Sequence, residues 1–160
     1  MFRIGIGSDT HRLVAGRPLI VGGVQVPFAL GAEGHSDSDV LAHAVIDAIL
    51  GALGDGDIGV HFPDDSPKWK DADSFDMLAH VMKRITAREF HVVNADMIVN
   101  LERPRLRDYI GSMRVNFARA LKIEVDRISV KAKTGEGVDA VGRGEAVSAQ
   151  AIVLLSNDPS

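Results

Sequence analysis

The amino-acid sequence of 160 residues predicts an α+β fold, in which helices pack on one face of a mixed β-sheet. Two observations predict this class: segments typical of strands occur at both ends of the chain, and segments with helical spacing lie between them. The length fits one domain with its own core, so we expect a single domain over residues 1–160. The predicted order is β-β-β-α-α-β-α-β-β, an α/β sandwich close to the ferredoxin-like plan.

The first three predicted elements are strands. Residues 3–11 form an apolar strand, and residues 17–28 form a hairpin that turns at Gly22 and Gly23. Two consecutive glycines favour a tight hairpin turn because glycine readily adopts positive φ angles.

The next predicted element is a helix over residues 38–53. The stretch "GHSDSD" supplies capping residues at its start, and "GDGDIG" ends it. Its apolar residues surround the helix axis, which indicates burial on all sides. Burial inside its own domain and burial against another subunit are equally consistent with this pattern.

The other elements follow from apolar spacing and capping signals. The second helix begins with Asp and Ser and ends with basic residues, and Pro104 lies near the start of the third, where proline is favoured. In order, these elements are helix 73–89, strand 90–101, a helix with an apolar stripe from Leu106 to Leu121, and strands 127–133 and 145–155 around the Gly-rich "TGEGVDAVGRGE".

The composition excludes several classes of function. The chain has no cysteine, which excludes disulfides, thiolate zinc sites, iron–sulfur clusters and cysteine nucleophiles. The net charge of -4 argues against a nucleic-acid binder. The N-terminus lacks the apolar stretch of a signal peptide, and "VLAHAVIDAILGAL" is too short to span a bilayer. We expect a soluble, cytoplasmic protein that binds neither nucleic acid nor membrane.

Three side chains suggest a metal site. Asp9 and His11 project from the same face of the first strand, because side chains at i and i+2 do so. His43 is one of two polar side chains in the apolar first helix, and it needs either a metal or a hydrogen-bond partner, for which Asp47 one turn later is a candidate. Two histidines and a carboxylate leave one position open on a tetrahedral zinc ion, the pattern of a catalytic site.

Loops near these residues carry small polar groups. They are His35 and Ser36 in "GHSDSD", Asp55 and Asp57 in "GDGDIG", and Asp64, Asp65 and Ser66 in "FPDDS". Taken singly, each is more often a cap or a solvated turn than a ligand contact. The Gly-rich segment begins at Thr134 and follows Lys131 and Lys133. Together they offer donors for a phosphate, although the segment lacks the P-loop spacing.

Four motifs in order resemble the family of 2-C-methyl-D-erythritol 2,4-cyclodiphosphate synthases. They are "GSDTH", "GHSDSDVLAHAVIDAILGAL", "GDIGVHFPD" and "VKAKTGEG" followed by "GRGE", and the resemblance runs from Gly7 to about Leu155. It implies a phosphorus–oxygen lyase of non-mevalonate isoprenoid (terpenoid) biosynthesis. Such an enzyme cyclises 4-diphosphocytidyl-2-C-methyl-D-erythritol 2-phosphate and releases CMP. The resemblance also implies a homotrimer with active sites between adjacent subunits and a hydrophobic cavity on the threefold axis.

The resemblance assigns roles to individual residues. It implies that Asp9, His11 and His43 hold Zn²⁺ or another divalent ion, and that Glu136 binds a Mg²⁺ or Mn²⁺ that accompanies the substrate diphosphate. His35 and Thr134 match the catalytic positions beside the reacting phosphates. Arg143 and Glu145 match residues that line the axial cavity, where an isoprenoid diphosphate can bind. The substrate-binding positions implied are Asp9, His11, His35, Ser36, Asp57, Ile58, Gly59, Phe62, Asp64, Asp65, Ser66, Lys133, Thr134, Gly135, Glu136 and Arg143.

The sequence departs from the family's commoner pattern in two segments. Lys133 stands where threonine is frequent and Ala140 where phenylalanine is frequent, while Glu102 and Arg105 replace glutamine and lysine in "LERPR". Two other functions compete with cyclisation: a two-metal phosphohydrolase that uses water in place of the internal phosphate, and a trimeric sensor of nucleotides or isoprenoid diphosphates.

Overall fold

The computed structural model describes residues 1–63 and 65–158, in which seven strands and four α-helices are assigned. The strands are β1 (Phe2–Ala15), β2 (Leu19–Val21), β3 (Val24–Val26), β4 (Leu30–Ala32), β5 (His91–Asn100), β6 (Ile128–Lys133) and β7 (Ala146–Ser156). The helices are α1 (Val40–Leu53), α2 (Ile58–His61), α3 (Ser74–Ala87) and α4 (Ile110–Leu121).

The main sheet has five strands in the order β4-β1-β7-β5-β6, and β2 and β3 form a separate hairpin. The pair β5 and β6 is parallel and the other pairs are antiparallel, so the sheet is mixed, as the sequence predicted. The hairpin turns at Gly22 and Gly23, whose φ angles are 58° and 70°, as expected for a tight turn that needs two positive φ angles.

Three details differ from the sequence-based expectations. β1 continues to Ala15, where it pairs with the short strand β4, which the sequence analysis missed because three residues are too few to show alternation. The four-residue helix α2 was missed for the same reason. α4 begins at Ile110, six residues after Pro104, because the Tyr109 N–H donates to the Leu106 carbonyl in a tighter 3₁₀ turn.

Glycines in β1 let α1 lie directly on the strand. A Cβ atom at Gly5 would lie 1.8 Å from the Ala48 carbonyl oxygen, and one at Gly7 would lie 2.1 Å from that of Ala44. Only glycine fits at these two positions, because the helix backbone occupies the space of a side chain. The close approach brings the first turns of α1 beside the middle of β1.

The first helix is buried within its own domain. Twelve of the fourteen residues of α1 are buried, and the helix packs against β1, β7 and α3. Of the two placements consistent with its apolar pattern, the structure therefore shows the one within the chain.

The opposite face of the sheet is exposed and partly apolar. Phe2, Ile4 and Ile6 alternate with the buried positions of β1 and are 64%, 70% and 69% exposed, and Ile152 on the neighbouring β7 is 45% exposed. These neighbouring side chains form an exposed apolar patch, whereas apolar residues on the surface of a monomer are usually scattered singly. In the part of the chain that the structure describes, no helix has the length and apolar character needed to cross a membrane.

Candidate metal centre and neighbouring cavities

Asp9, His11 and His43 converge on one point between β1 and α1. Asp9 Oδ2 lies 2.8 Å from His11 Nε2 and 2.9 Å from His43 Nδ1. The two ring nitrogens are 3.3 Å apart, and all three donor atoms lie within 4.8 Å of one another. The sequence prediction that these three residues form one cluster is confirmed.

The outer nitrogen of each imidazole has its own hydrogen-bond partner. His11 Nδ1 lies 2.8 Å from the Glu33 carbonyl oxygen and donates to it, since a carbonyl only accepts. His43 Nε2 lies 2.9 Å from Ser74 Oγ and 3.2 Å from Ser36 Oγ. With the outer nitrogens occupied, His11 Nε2 and His43 Nδ1 both face Asp9 Oδ2, which is the arrangement in which a metal ion can replace the hydrogens between them.

Asp47 is not the partner of His43, contrary to the sequence-based expectation. Asp47 Oδ1 accepts the Ile58 backbone N–H at 2.7 Å and thereby fixes the start of α2. The spacing of four residues places Asp47 beside His43, but the imidazole turns one nitrogen to β1 and the other to α3, so neither faces along its own helix.

The charges within the cluster shift two pKa values. Burial would raise the pKa of Asp9, but hydrogen bonds from His11 and His43 outweigh burial and hold it well below its ordinary value. Burial would lower the pKa of His11, but the hydrogen bond and charge of Asp9 outweigh it, so the pKa of His11 is raised. Without a metal ion, the pair Asp9 and His11 therefore favours a carboxylate beside an imidazolium.

A cavity of about 300 Å³ opens beside the cluster. The catalytic candidate His35 lines it and contacts the Ser66 carbonyl oxygen through Nε2 at 3.1 Å. Phe62 and Trp69 form an apolar wall, with ring centroids 4.7 Å apart. The lining residues are Asp9, His11, Gly34, His35, Ser36, His43, Ile58, Gly59, Phe62, Trp69 and Met77.

The other acidic loop candidates that the structure describes have structural contacts or are exposed. Asp57 caps α2, where its Oδ1 accepts the Val60 N–H at 3.1 Å. Asp55 binds Arg84 and Arg88 at 2.6 Å and 2.9 Å, which ties the end of α1 to α3 and lowers the pKa of Asp55. Asp65 is exposed in the loop before Ser66, and Asp64 lies outside the described residues.

A second group of predicted residues lies in the loop after β6. Thr134 Oγ1 donates to Glu136 at 2.9 Å, and Glu102 accepts the Gly135 N–H at 3.0 Å. Thr134 also lines a separate cavity of about 520 Å³ with Phe28 and residues 102–105. Glu102, one of the departures from the family pattern, therefore braces the loop that carries Thr134.

The two groups are separated within one chain but lie at the same level of the sheet. The register aligns Thr10, Ser148, Asn100 and Lys133 in one row across β1, β7, β5 and β6. Three strand spacings of about 4.8 Å separate β1 from β6, which comes to roughly 14 Å. Among the residues that the structure describes, none lines both cavities.

Two further candidates lie outside both cavities. Arg143, a predicted substrate and axial-cavity residue, is exposed and pairs with Glu145 through two contacts of 3.1 Å. Lys131, considered as a phosphate donor, instead binds Asp96 at 2.6 Å.

Sequence reasoning missed Ser74, which contacts His43 from behind, and Asp37, which contacts Ser74. Asp37 and Ser74 both lie next to helix starts, where their residue types indicate capping and give no signal of a metal site. Only the packing of α3 against the start of α1 brings Ser74 to His43.

Comparisons with known proteins agree over nearly the whole chain. The YgbB family model matches residues 2–156. A 2-C-methyl-D-erythritol 2,4-cyclodiphosphate synthase of Salinibacter ruber is 57% identical over 155 residues, covering 97% of this chain and 99% of the relative. The enzyme of the same name from Geobacillus kaustophilus is 54% identical over 155 residues, covering 97% and 98%. A solved structure of a 2C-methyl-D-erythritol-2,4-cyclodiphosphate synthase in a CDP-bound form superposes with a TM-score of 0.89 at 40% identity, covering 96% of this chain and all of that one.

Proposed function

Since the chain belongs to the YgbB family, we propose that it converts 4-diphosphocytidyl-2-C-methyl-D-erythritol 2-phosphate to 2-C-methyl-D-erythritol 2,4-cyclodiphosphate and CMP. The observation that carries this proposal is the cluster of Asp9, His11 and His43 at the wall of a cavity. The pathway is isoprenoid biosynthesis, and the reaction class is that of a phosphorus–oxygen lyase.

The reaction is an internal phosphoryl transfer. An oxygen of the 2-phosphate forms a bond to the β-phosphorus, and the bond from that phosphorus to the oxygen shared with the α-phosphate breaks. That oxygen keeps the electron pair and leaves on CMP. The attacking phosphate is already an oxyanion, so the protein needs no general base and contributes by placing two anions together and by stabilising their charge.

We assign the cluster to Zn²⁺, which is consistent with two imidazole nitrogens and one carboxylate oxygen as ligands. Bound there, the ion supplies Lewis-acid polarisation of a phosphoryl oxygen and leaves one position open for it. His35 and Ser36 line the same cavity and orient the phosphates, while Ile58 and Gly59 at the start of α2 form its other side. Asp57 binds the erythritol hydroxyl groups, and Phe62 excludes water from the apolar part.

The loop after β6 supplies the other half of the active site. There, Lys133, Thr134 and Gly135 bind the phosphates and the nucleotide. Asp65 and Ser66 complete the substrate-binding site. Glu136 is the protein ligand of a Mg²⁺ or Mn²⁺ that enters with the diphosphate. Because β1 and β6 lie at opposite sides of one sheet, a complete site requires the loop of a neighbouring subunit beside the zinc centre.

A homotrimer meets this requirement. In a cyclic assembly, each subunit presents one edge to the next, so the two halves meet at every interface. The exposed apolar face around Ile4, Ile6 and Ile152 supports burial of this face against other copies. Arg143 and Glu145 would then line an axial cavity that accepts an isoprenoid diphosphate.

The deciding experiment incubates the purified protein with the cytidyl substrate, Zn²⁺ and Mg²⁺ and follows products by phosphorus NMR. Cyclisation gives CMP and the cyclic diphosphate without incorporation of oxygen from labelled water. Linear products that carry solvent oxygen would establish a phosphohydrolase instead, and binding of the substrate without turnover would favour a sensor.

A further inference from the structure

Behind His43, on the side away from β1, lies a chain of hydrogen bonds that the proposed reaction does not use. Ser74 Oγ lies 2.9 Å from His43 Nε2 and donates its own hydroxyl hydrogen to Asp37 Oδ1. The Ser74 backbone N–H also donates to Asp37 Oδ2 at 3.0 Å. We propose that Ser74 and Asp37 are positioning residues for the metal centre, which keep a hydrogen on His43 Nε2 so that Nδ1 is the nitrogen that binds the ion.

The direction of these hydrogen bonds determines which nitrogen of a neutral His43 is left to bind the ion. An ionised carboxylate only accepts hydrogen bonds, so Ser74 must donate its single hydroxyl hydrogen to Asp37. The Ser74 oxygen can then interact with His43 only as an acceptor, which requires the ring hydrogen on Nε2. Because a neutral imidazole carries one hydrogen, Nδ1 is left as the metal-binding nitrogen.

Ser36 also contacts His43 but does not select a tautomer by itself. Its Oγ lies 3.2 Å from Nε2 and accepts the Ser38 backbone N–H at 3.1 Å. No carboxylate among the described residues holds the Ser36 hydroxyl hydrogen, so this group is able either to donate to Nε2 or to accept from it.

The positions of Ser74 and Asp37 are fixed by backbone contacts as well. The Asp37 N–H donates to the Ala72 carbonyl at 3.0 Å, and the Asp71 N–H donates to the His35 carbonyl at 2.8 Å. Ser74 is fully buried at the start of α3. These two backbone hydrogen bonds between the loop before α1 and the residues before α3 do not involve the Asp37 and Ser74 side chains, so they remain in both variants.

The test measures zinc affinity and the hydrogen bond of His43 Nε2–H in full-length Ser74→Ala and Asp37→Asn. We expect the Zn²⁺ dissociation constant, measured by competition with a chelator, to rise about 10- to 100-fold in both variants. In Asp37→Asn, the amide is able to donate to Ser74, which frees the hydroxyl hydrogen to turn toward His43. Nitrogen-15 NMR of the zinc-bound proteins observes the His43 Nε2–H directly, and its hydrogen resonance should move upfield in both variants because the Ser74 acceptor is lost or turned away.

Asp73→Ala is the matched control at the same helix end. Asp73 caps α3 by accepting the Phe75 N–H at 2.7 Å, so its loss weakens the helix start without touching the chain to His43. It should lower thermal stability and leave zinc affinity and the His43 Nε2–H resonance unchanged. Wild-type zinc affinity in both Ser74→Ala and Asp37→Asn would overturn the inference. The inference rests on the metal centre of the proposed function. A wild-type protein that binds no Zn²⁺ would contradict both the inference and the proposed metal centre.

Discussion

His11 Nε2 and His43 Nδ1 lie 3.3 Å apart, although their residues are 32 positions apart in the chain. Two nitrogens bound to a tetrahedral ion at about 2.0–2.1 Å are also separated by roughly 3.3 Å. The two imidazoles are therefore already spaced for zinc, and the carboxylate of Asp9 needs only a small movement to join them. Hydrogen bonds to the Glu33 carbonyl oxygen and to Ser74 orient the two rings from behind.

Removal of His43 should abolish metal binding without unfolding the protein. His43→Ala deletes one of three ligands, so we expect zinc affinity to fall by more than about 100-fold, beyond the usual effect of residues behind a ligand. Competition with a chelator and circular dichroism measure the two properties. His91→Ala, at the far end of β5, is the control and should keep wild-type zinc affinity and wild-type secondary structure. Undiminished zinc in His43→Ala would remove His43 from the site.

Zinc affinity should rise with pH through the raised pKa of His11. Below that pKa the imidazolium has no lone pair for the ion, and above it the neutral ring binds without releasing a proton. Titrations from pH 5 to pH 8 should show the increase level off above the pKa of free histidine, about 6.5. An affinity that is independent of pH would contradict the assignment of His11 as a ligand.

The metal-free protein should respond to pH in the opposite way. The raised pKa of His11 contributes stability that is complete below about 6.5 and is lost as the pH rises through the folded-state pKa, while the lowered pKa of Asp9 contributes stability above about 3.9. The stabilisation from this pair is therefore greatest between these values. Urea unfolding of wild type and His11→Ala without metal should show a difference in the free energy of unfolding that shrinks above pH 7.

Gly7→Ala should destabilise the fold and disturb the metal centre together. The added methyl group would lie 2.1 Å from the Ala44 carbonyl oxygen, so α1 must move away from β1, at a cost of about 1–3 kcal/mol or more. Gly111→Ala in α4 makes the same chemical change into open space and should stabilise the protein by about 0.5–1 kcal/mol. Urea unfolding measures both values. Equal effects of the two substitutions would contradict the close approach of α1 to β1.

Mixed assemblies test whether the active site is shared between subunits. His43→Ala lacks the zinc half and Thr134→Ala lacks the loop half, so each alone should be nearly inactive. In a ring of three with heterologous interfaces, every mixed trimer contains one interface with both halves intact, and random mixing of equal amounts should restore roughly a quarter of wild-type activity. Absence of recovery after verified subunit exchange would place both halves of each site in one chain.

The sequence already contains the local part of the candidate metal site. Alternation along β1 places Asp9 and His11 on one face, and the capping and apolar signals of α1 place His43 in its first turn. Turn chemistry likewise identified the hairpin at Gly22 and Gly23. These features depend on residues close together in the chain, for which backbone geometry alone fixes the direction of each side chain.

Contacts between distant segments needed the tertiary structure. The partner of His43 is Ser74, 31 residues later, and not Asp47 one turn away, because the packing of α3 determines what faces the outer nitrogen. Short elements such as β4 and α2 also escaped prediction, since their few residues are held by neighbours and show no period of their own.

The sequence by itself determined which side chains are available for metal and phosphate chemistry and which of them share a strand face or a helix turn. Only the tertiary structure decided that α1 lies on the glycines of β1, so that His43 reaches Asp9, and that Thr134 lies across the sheet at the level of the metal centre. The physical reason is that strand and helix periods fix directions over a few residues, whereas distances between elements depend on packing of the whole core.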